Sequence, residues 1–215
     1  MTATATQNVL EHPHNEPPLA FTQENLGWIP WLEPLEQEEL TEVHHEALVD
    51  KVRAKNDYFR LLVRDPEILR TRTKTDKDIF YNTAEGLPRA ERELAATATS
   101  RANGCIFCAS VHSRFASHFS MQSQNVQRLL DDGIHAPQDA RWRAIIDASV
   151  ALTATPSTLD ASHLTALRAA GLDELEISDV IHGAAFFNWA NRLMLSLGEP
   201  TPPAGLDPSR CRKKL

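Results

Sequence analysis

From about Glu36 onward the chain carries apolar residues at helical spacing, cut at short intervals by proline starts and glycine stops, and this punctuation most restricts how it can fold. Proline suits a first helical turn because its missing N–H has no partner there anyway. Glycine closes a helix because it accepts a left-handed backbone. Asp65-Pro66, Pro88 and Pro137 read as starts; Asn103-Gly104, Gly133, Pro156, Gly171 and Gly198 read as stops. The segments between predict helices over 38–55, 56–63, 67–82, 88–102, 105–119, 124–131, 137–152, 162–170 and 174–197. The first should present Leu40, Val43, Ala47, Leu48 and Val52 as an apolar stripe, and the polar run 71–76 reads as a turn within the third. No stretch alternates with period two, so the expected class is all-α.

The ends read differently. Residues 1–20 are polar and rich in proline and histidine, including His12 and His14, and are expected to be a mobile extension. The segment 21–55 joins the first amphipathic helix to an irregular arm in which Trp28 and Trp31 sit among prolines. Such an arm should cover either its own core or a neighbouring subunit. Residues 199–215 form a tail, and its Cys211, beside Arg and Lys, is expected to be incidental.

A net charge of −7 argues against a nucleic-acid partner, and 42% hydrophobic residues provide a sizeable core. The richest apolar run, 184–190, is short and broken by Asn188, so no membrane partner is expected. The opening Met1-Thr2-Ala3 has no basic residue leading into an apolar stretch, and three cysteines are too few for a disulfide scaffold; both features fit the cytoplasm.

Cys105 and Cys108 stand three apart just after the Asn103-Gly104 break. On a first helical turn, unpaired backbone N–H groups and the helix dipole favour a thiolate over a thiol. His112 lies one turn beyond Cys108 on the same face. If 88–102 and 105–119 form an antiparallel hairpin about Asn103-Gly104, residues equidistant from the turn face each other, which sets Glu93 opposite His112. Cys108 is then a candidate nucleophile, His112 the base that takes its proton, and Glu93 the carboxylate that orients the imidazole. Cys105 would close a disulfide once Cys108 is oxidised. The reverse assignment, with Cys105 attacking, stays open because Cys105 lies nearer the helix end.

Zinc is the competing chemistry, with Cys105, Cys108, His112 and His118 as ligands. Structural zinc takes four ligands in a tetrahedron, yet His118 falls on another side of the helix and no second cysteine pair exists. Haem attachment is excluded because Ala109 follows Cys108. No metal and no cofactor are therefore expected. Further along, His182, Asn188, Asn191 and Arg192 share a long helix with Phe186, Phe187 and Trp189. The aromatics read as core or subunit contact, and Asn188 with Arg192 as a bridge between helices.

Taken together, Glu93, Cys105-Ile106-Phe107-Cys108 and His112 resemble the signature of the alkylhydroperoxidase AhpD-like family, within the wider carboxymuconolactone decarboxylase group. Residues 141–156, 167–171 and 185–193 resemble the C-terminal half of its peroxidase-related branch, so the resemblance covers about 56–198. It implies an AhpD-like helical domain over those residues and a homo-oligomer (dimer, trimer or hexamer). It also implies a thiol peroxidase or disulfide reductase that uses a hydroperoxide substrate and an external dithiol or protein reductant. In that family the second motif cysteine is peroxidatic and the first resolves. The resemblance thus assigns those roles to Cys108 and Cys105, and a proton relay to Glu93 and His112. One position departs: the best-studied members place histidine immediately before the second cysteine, where this chain has Phe107, which shortens the relay. Two other functions are weighed. A lactone decarboxylase makes no use of a cysteine pair, and a redox-sensing helical oligomer would oxidise once without cycling.

Overall fold

Aspartate and proline starts set the helices of the computed structural model, which describes residues 9–82 and 84–203. Cys211 lies outside the described residues. The side chains of Asp65, Asp139, Asp160 and Asp173 each accept from a backbone N–H of the first helical turn, a cap worth roughly 1 kcal/mol apiece. In chain order the elements are β1 (Gly27–Pro30), α1 (Glu42–Leu48), α2 (Asp57–Leu62), α3 (Pro66–Tyr81), α4 (Arg89–Ala102) and α5 (Ile106–Ser120). There follow α6 (Ser123–Asp132), α7 (Ala140–Thr153), α8 (Ala161–Ala169), α9 (Glu174–Leu197) and β2 (Gly198–Thr201). Among the described residues the fold is all-α apart from one short ribbon.

Helix α4 is the axis of the domain. Every residue from 91 to 100 is buried, and α5, α7 and α9 pack around it. The run Ala95-Ala96-Thr97-Ala98-Thr99-Ser100 makes this possible, because small side chains let three helices approach one. On one side Leu94 and Ala98 join Ile145, Ile146, Leu167 and Val180 in the main core. The charged residues of its first turns are buried only with partners. Glu91 accepts from Arg141 Nε and Nη2, both at 2.8 Å, and Arg92 reaches Asp179 at 2.9 Å and the carbonyl oxygens of Ile79 and Glu85 at 2.8 Å. Unpaired, such charges would be strongly destabilising at these depths.

Four local expectations change. The helix expected over 38–55 is three pieces, with 3₁₀ turns at Gln37–Glu39 and Lys51–Lys55 flanking α1. Thr41 starts α1 in a capping box, and Val49, at φ 64°, ends it in a γ-turn in which Asp50 N donates to Leu48 O at 2.7 Å. Ala47 and Leu48 are buried, whereas Val43, in the first turn of α1, and Val52, beyond the turn at Val49, are exposed. The polar run 71–76 is no turn. Helix α3 is continuous there: Thr71, Lys74 and Thr75 are exposed, while Arg72, Thr73 and Asp76 face the rest of the protein, and Thr73 is buried and accepts from Arg53 Nη1 at 3.0 Å.

A ribbon appears where no strand was expected. β1 pairs antiparallel with β2, with Trp28 opposite Pro200 and Ile29 opposite Glu199. Strands of four residues with a proline in each show no alternation, so only the distant partner defines them. The polar N-terminal segment, expected to be mobile, is tied to this ribbon from Leu10 onward. Leu10 N donates to Trp31 O at 2.8 Å, His12 Nε2 bonds Pro30 O at 2.7 Å, and Asn15 Nδ2 donates to Glu199 Oε1 at 2.9 Å. Among the described residues no helix is long and apolar enough to cross a membrane.

Gly198 decides how closely the ribbon closes. A Cβ there would sit 2.2 Å from Ile29 O and 2.4 Å from Trp28 Cζ2. Gly198→Ala should therefore lower unfolding stability by about 1–3 kcal/mol, the usual range for overpacking, as read by urea denaturation. A loss below roughly 0.5 kcal/mol, the scale of a neutral surface change, would contradict this packing.

Candidate active site

The two thiols are positioned by the end of the preceding helix. Asn103 caps α4, Gly104 follows at φ 76°, and the chain closes in a Schellman motif: Cys105 N donates to Ser100 O at 2.9 Å and Gly104 N to Arg101 O at 3.4 Å. Cys105 thus ends one motif and, in the same step, caps α5. Asn103 Nδ2 donates to Asn188 Oδ1 and Asn191 Oδ1, each at 3.1 Å, and Asn191 Nδ2 donates to Ser100 Oγ at 3.0 Å, which staples the turn to α9. Asn188 also accepts from Arg192 Nη1, so these two residues form a local clasp on α9.

The hairpin sets Glu93 against His112. Glu93 Oε2 lies 2.5 Å from His112 Nδ1, and Glu93 is buried with 1% of its surface exposed. Its other oxygen accepts from Arg89 Nε at 2.7 Å. The His112 ring is held between Phe187, at 4.1 Å between centroids, and Phe80, at 5.3 Å. With Nδ1 on the carboxylate, Nε2 is the ring nitrogen left to exchange a proton. Arg89, Phe80 and Phe187 were missed in the sequence. The four-residue spacing of Arg89 and Glu93 was the available signal for the first, while the phenylalanines come from distant helices.

Cys105 and Cys108 are both buried thiols, with Cys105 Sγ donating to Cys108 Sγ at 2.6 Å. Burial pushes the Cys108 thiol well above its ordinary value, and the adjoining Cys105 adds to this; the Asn191 amide and the Arg72 charge pull the other way. The thiolate expected from a helix N-terminus is therefore not the resting form, because desolvation outweighs the dipole.

A cavity of about 510 Å³ opens beside Cys108. His112 and Glu93 line it, Cys105 does not, and Phe107 takes part in its wall. Trp28 from the arm packs edge-on against Tyr58, 5.4 Å between centroids, and closes one side. The arm thus covers its own core, the first of the two roles open to it. His118 and His182 are exposed and do not line the cavity. Among the described residues no three His, Cys, Asp or Glu side chains converge to hold a metal.

Comparison with known proteins agrees with this architecture. The model of the carboxymuconolactone decarboxylase family matches residues 66–149, from the start of α3 into α7. No curated protein matches the chain significantly. Among solved structures, an uncharacterised peroxidase-related protein with an alkylhydroperoxidase AhpD core, from Ralstonia eutropha JMP134, is similar at 22% identity and a TM-score of 0.64, over 76% of this chain and 87% of that one. A peroxidase-related protein from Silicibacter sp. TM1040 is similar at 24% identity and a TM-score of 0.59, over 94% of this chain and 95% of that one. The debrominase Bmp8 is similar at 17% identity and a TM-score of 0.62, over 76% and 88%. Likeness at such identities establishes the fold. Residues 66–149, which hold both thiols, Glu93 and His112, match the carboxymuconolactone decarboxylase family, and the chain has an AhpD-like helical fold.

Proposed function

We propose that the protein is a thiol-dependent peroxidase that cycles a disulfide between Cys105 and Cys108. One observation carries the reading: Cys108 and the Glu93–His112 pair open onto the same cavity, while Cys105 touches Cys108 from behind it. His112 Nε2 takes the Cys108 proton, and the thiolate attacks the outer oxygen of a hydroperoxide. The O–O bond breaks, the alcohol leaves with the proton returned by His112, and Cys108 becomes a sulfenic acid. Cys105 sulfur then displaces the hydroxyl, which leaves as water, and an external dithiol restores both thiols by exchange. Hydroperoxide and two thiols give alcohol, water and disulfide. Glu93 orients the imidazole and stabilises its protonated form, a positioning role strengthened by burial. Phe107 supplies no proton, so the relay runs through His112 alone. The reading includes association of several copies of the chain.

The matched family takes its name from a decarboxylase, for which Glu93 and His112 would serve as a proton-transfer pair. That reading leaves the contact between two buried thiols without a role. A redox sensor would keep the thiols but would not turn over.

Cys108→Ser should reduce peroxide consumption to the rate without protein. Cys105→Ser should still consume about one equivalent, trapped as a sulfenic acid, and then stop. Loss of that first equivalent in Cys105→Ser alone would reverse the two roles, and one stoichiometric oxidation of wild type without reductant-driven cycling would favour the sensor.

The raised Cys108 value sets a pH dependence. At pH 7 the thiolate fraction is below that of an ordinary thiol, whose value is about 8.5. Iodoacetamide labelling of Cys108 should therefore rise about tenfold per pH unit from 7 to beyond 9, because only the thiolate reacts. A plateau below pH 8 would show a thiolate at rest and contradict the burial argument.

A further inference from the structure

Two residues in the wall of the cavity carry buried hydrogen-bond donors that have no acceptor. The Arg72 side chain is 9% exposed, yet its Nε and Nη1 make no hydrogen bond. Trp28 Nε1 is likewise buried and unpaired. Both residues line the cavity that holds Cys108. A guanidinium normally enters the interior only with its donors satisfied, since a buried charged group with an unmade hydrogen bond is strongly disfavoured.

The surrounding charges do not satisfy it. Asp57, Asp76 and Glu93 are the carboxylates lining the cavity. Asp57 belongs to Arg60 at 2.5 Å, and Glu93 to Arg89 at 2.6 Å. Asp76 is shared, 3.6 Å from Arg53 Nη2 and 3.5 Å from Arg72 Nη1, so two guanidiniums face one carboxylate. Arg72 is left as a surplus positive charge. It lies over the rings of Phe59, at 5.7 Å, and Phe186, at 5.3 Å, which hold the fork flat and deny it water.

A planar monoanion completes such a group. A guanidinium fork matches a carboxylate through two parallel N–H···O bonds, and an indole N–H adds a neutral donor suited to a remaining lone pair. The rest of the wall is largely aromatic, with Tyr58, Phe80, Phe107 and Phe115, and suits an apolar body. Its volume lies within the ordinary range for small-molecule sites.

We infer that the cavity binds an apolar, ring-sized hydroperoxide that carries a carboxylate, with the carboxylate held by Arg72 and Trp28 and the peroxide directed at Cys108. This substrate class rests on the peroxidase reading above. The reaction balances as before: the carboxylate is a spectator, the O–O bond breaks, and the hydroxy acid and water leave as the disulfide forms. Arg72 is a binding residue here, and its charge also favours the Cys108 thiolate.

The test compares a matched pair, 4-(2-hydroperoxypropan-2-yl)benzoic acid and its methyl ester, with an external dithiol as reductant. For wild type, kcat/KM for the acid should exceed that for the ester by roughly ten- to a hundredfold, the range for a charge-assisted hydrogen bond, chiefly through KM. In Arg72→Met the ratio should fall to about one, and Arg72→Lys should restore part of it. Calorimetric binding of unreactive 4-isopropylbenzoate and its methyl ester separates this inference from the peroxidase reading, because it needs no turnover. If neither hydroperoxide is consumed but 4-isopropylbenzoate binds wild type and not Arg72→Met, the anion site stands and the peroxidase falls. Equal turnover of acid and ester by wild type, or binding of neither unreactive compound, overturns the inference. Should Arg72→Met fail to fold, as judged by circular dichroism, the wild-type ratio and Arg72→Lys decide.

Discussion

Two backbone hydrogen bonds at the end of α4, Cys105 N to Ser100 O and Gly104 N to Arg101 O, fix almost everything that matters in this site. They require a left-handed residue at 104, which glycine supplies without a steric penalty. They also fix the rotational phase of α5 against α4, and with it the meeting of Glu93 and His112 across a hairpin interface. Moving α5 by one residue would turn His112 about 100° away from the carboxylate. The asparagines at 103, 188 and 191 tie the same turn to α9, so three helices share one anchoring point.

The site lies where charge is expensive. α4 is buried along most of its length, so each ionisable group in its first turns is matched: Glu91 by Arg141, Arg92 by Asp179, and Glu93 by Arg89 and His112. The same desolvation keeps Cys108 protonated at rest. In the proposed peroxidase, a buried thiol next to a buried carboxylate–imidazole pair is quiet until a substrate arrives, and the base would then remove its proton. Arg72 stands outside this pattern, because it is buried and its charge is only half answered.

The placing of Cys105, Cys108, His112 and Glu93 was legible in the sequence because it depends on short-range periodicity. Cysteines three apart, a histidine four further on, and a carboxylate equidistant from an Asn-Gly turn define one face of a hairpin without any knowledge of the rest. The cavity was not legible. Trp28 comes from a segment that shows no period because a four-residue strand with a proline cannot alternate. Arg72 lies in a run that reads as a turn, since polar residues in a helix usually face solvent; here α3 turns Arg72, Thr73 and Asp76 toward the protein and leaves the others outside. The helix expected over 38–55 failed for a related reason: a γ-turn at Val49 leaves no glycine or proline to announce it.

The account depends most on the buried carboxylate acting through the imidazole on Cys108. Single-turnover oxidation by hydroperoxide, followed by stopped flow across a range of pH in wild type and Glu93→Gln, tests this directly. The account predicts oxidation slowed by about 10²–10⁴-fold at neutral pH, the usual contribution of a general base, with the deficit shrinking as rising pH forms the thiolate unaided. A folded Glu93→Gln protein that oxidises Cys108 at the wild-type rate at every pH would contradict it.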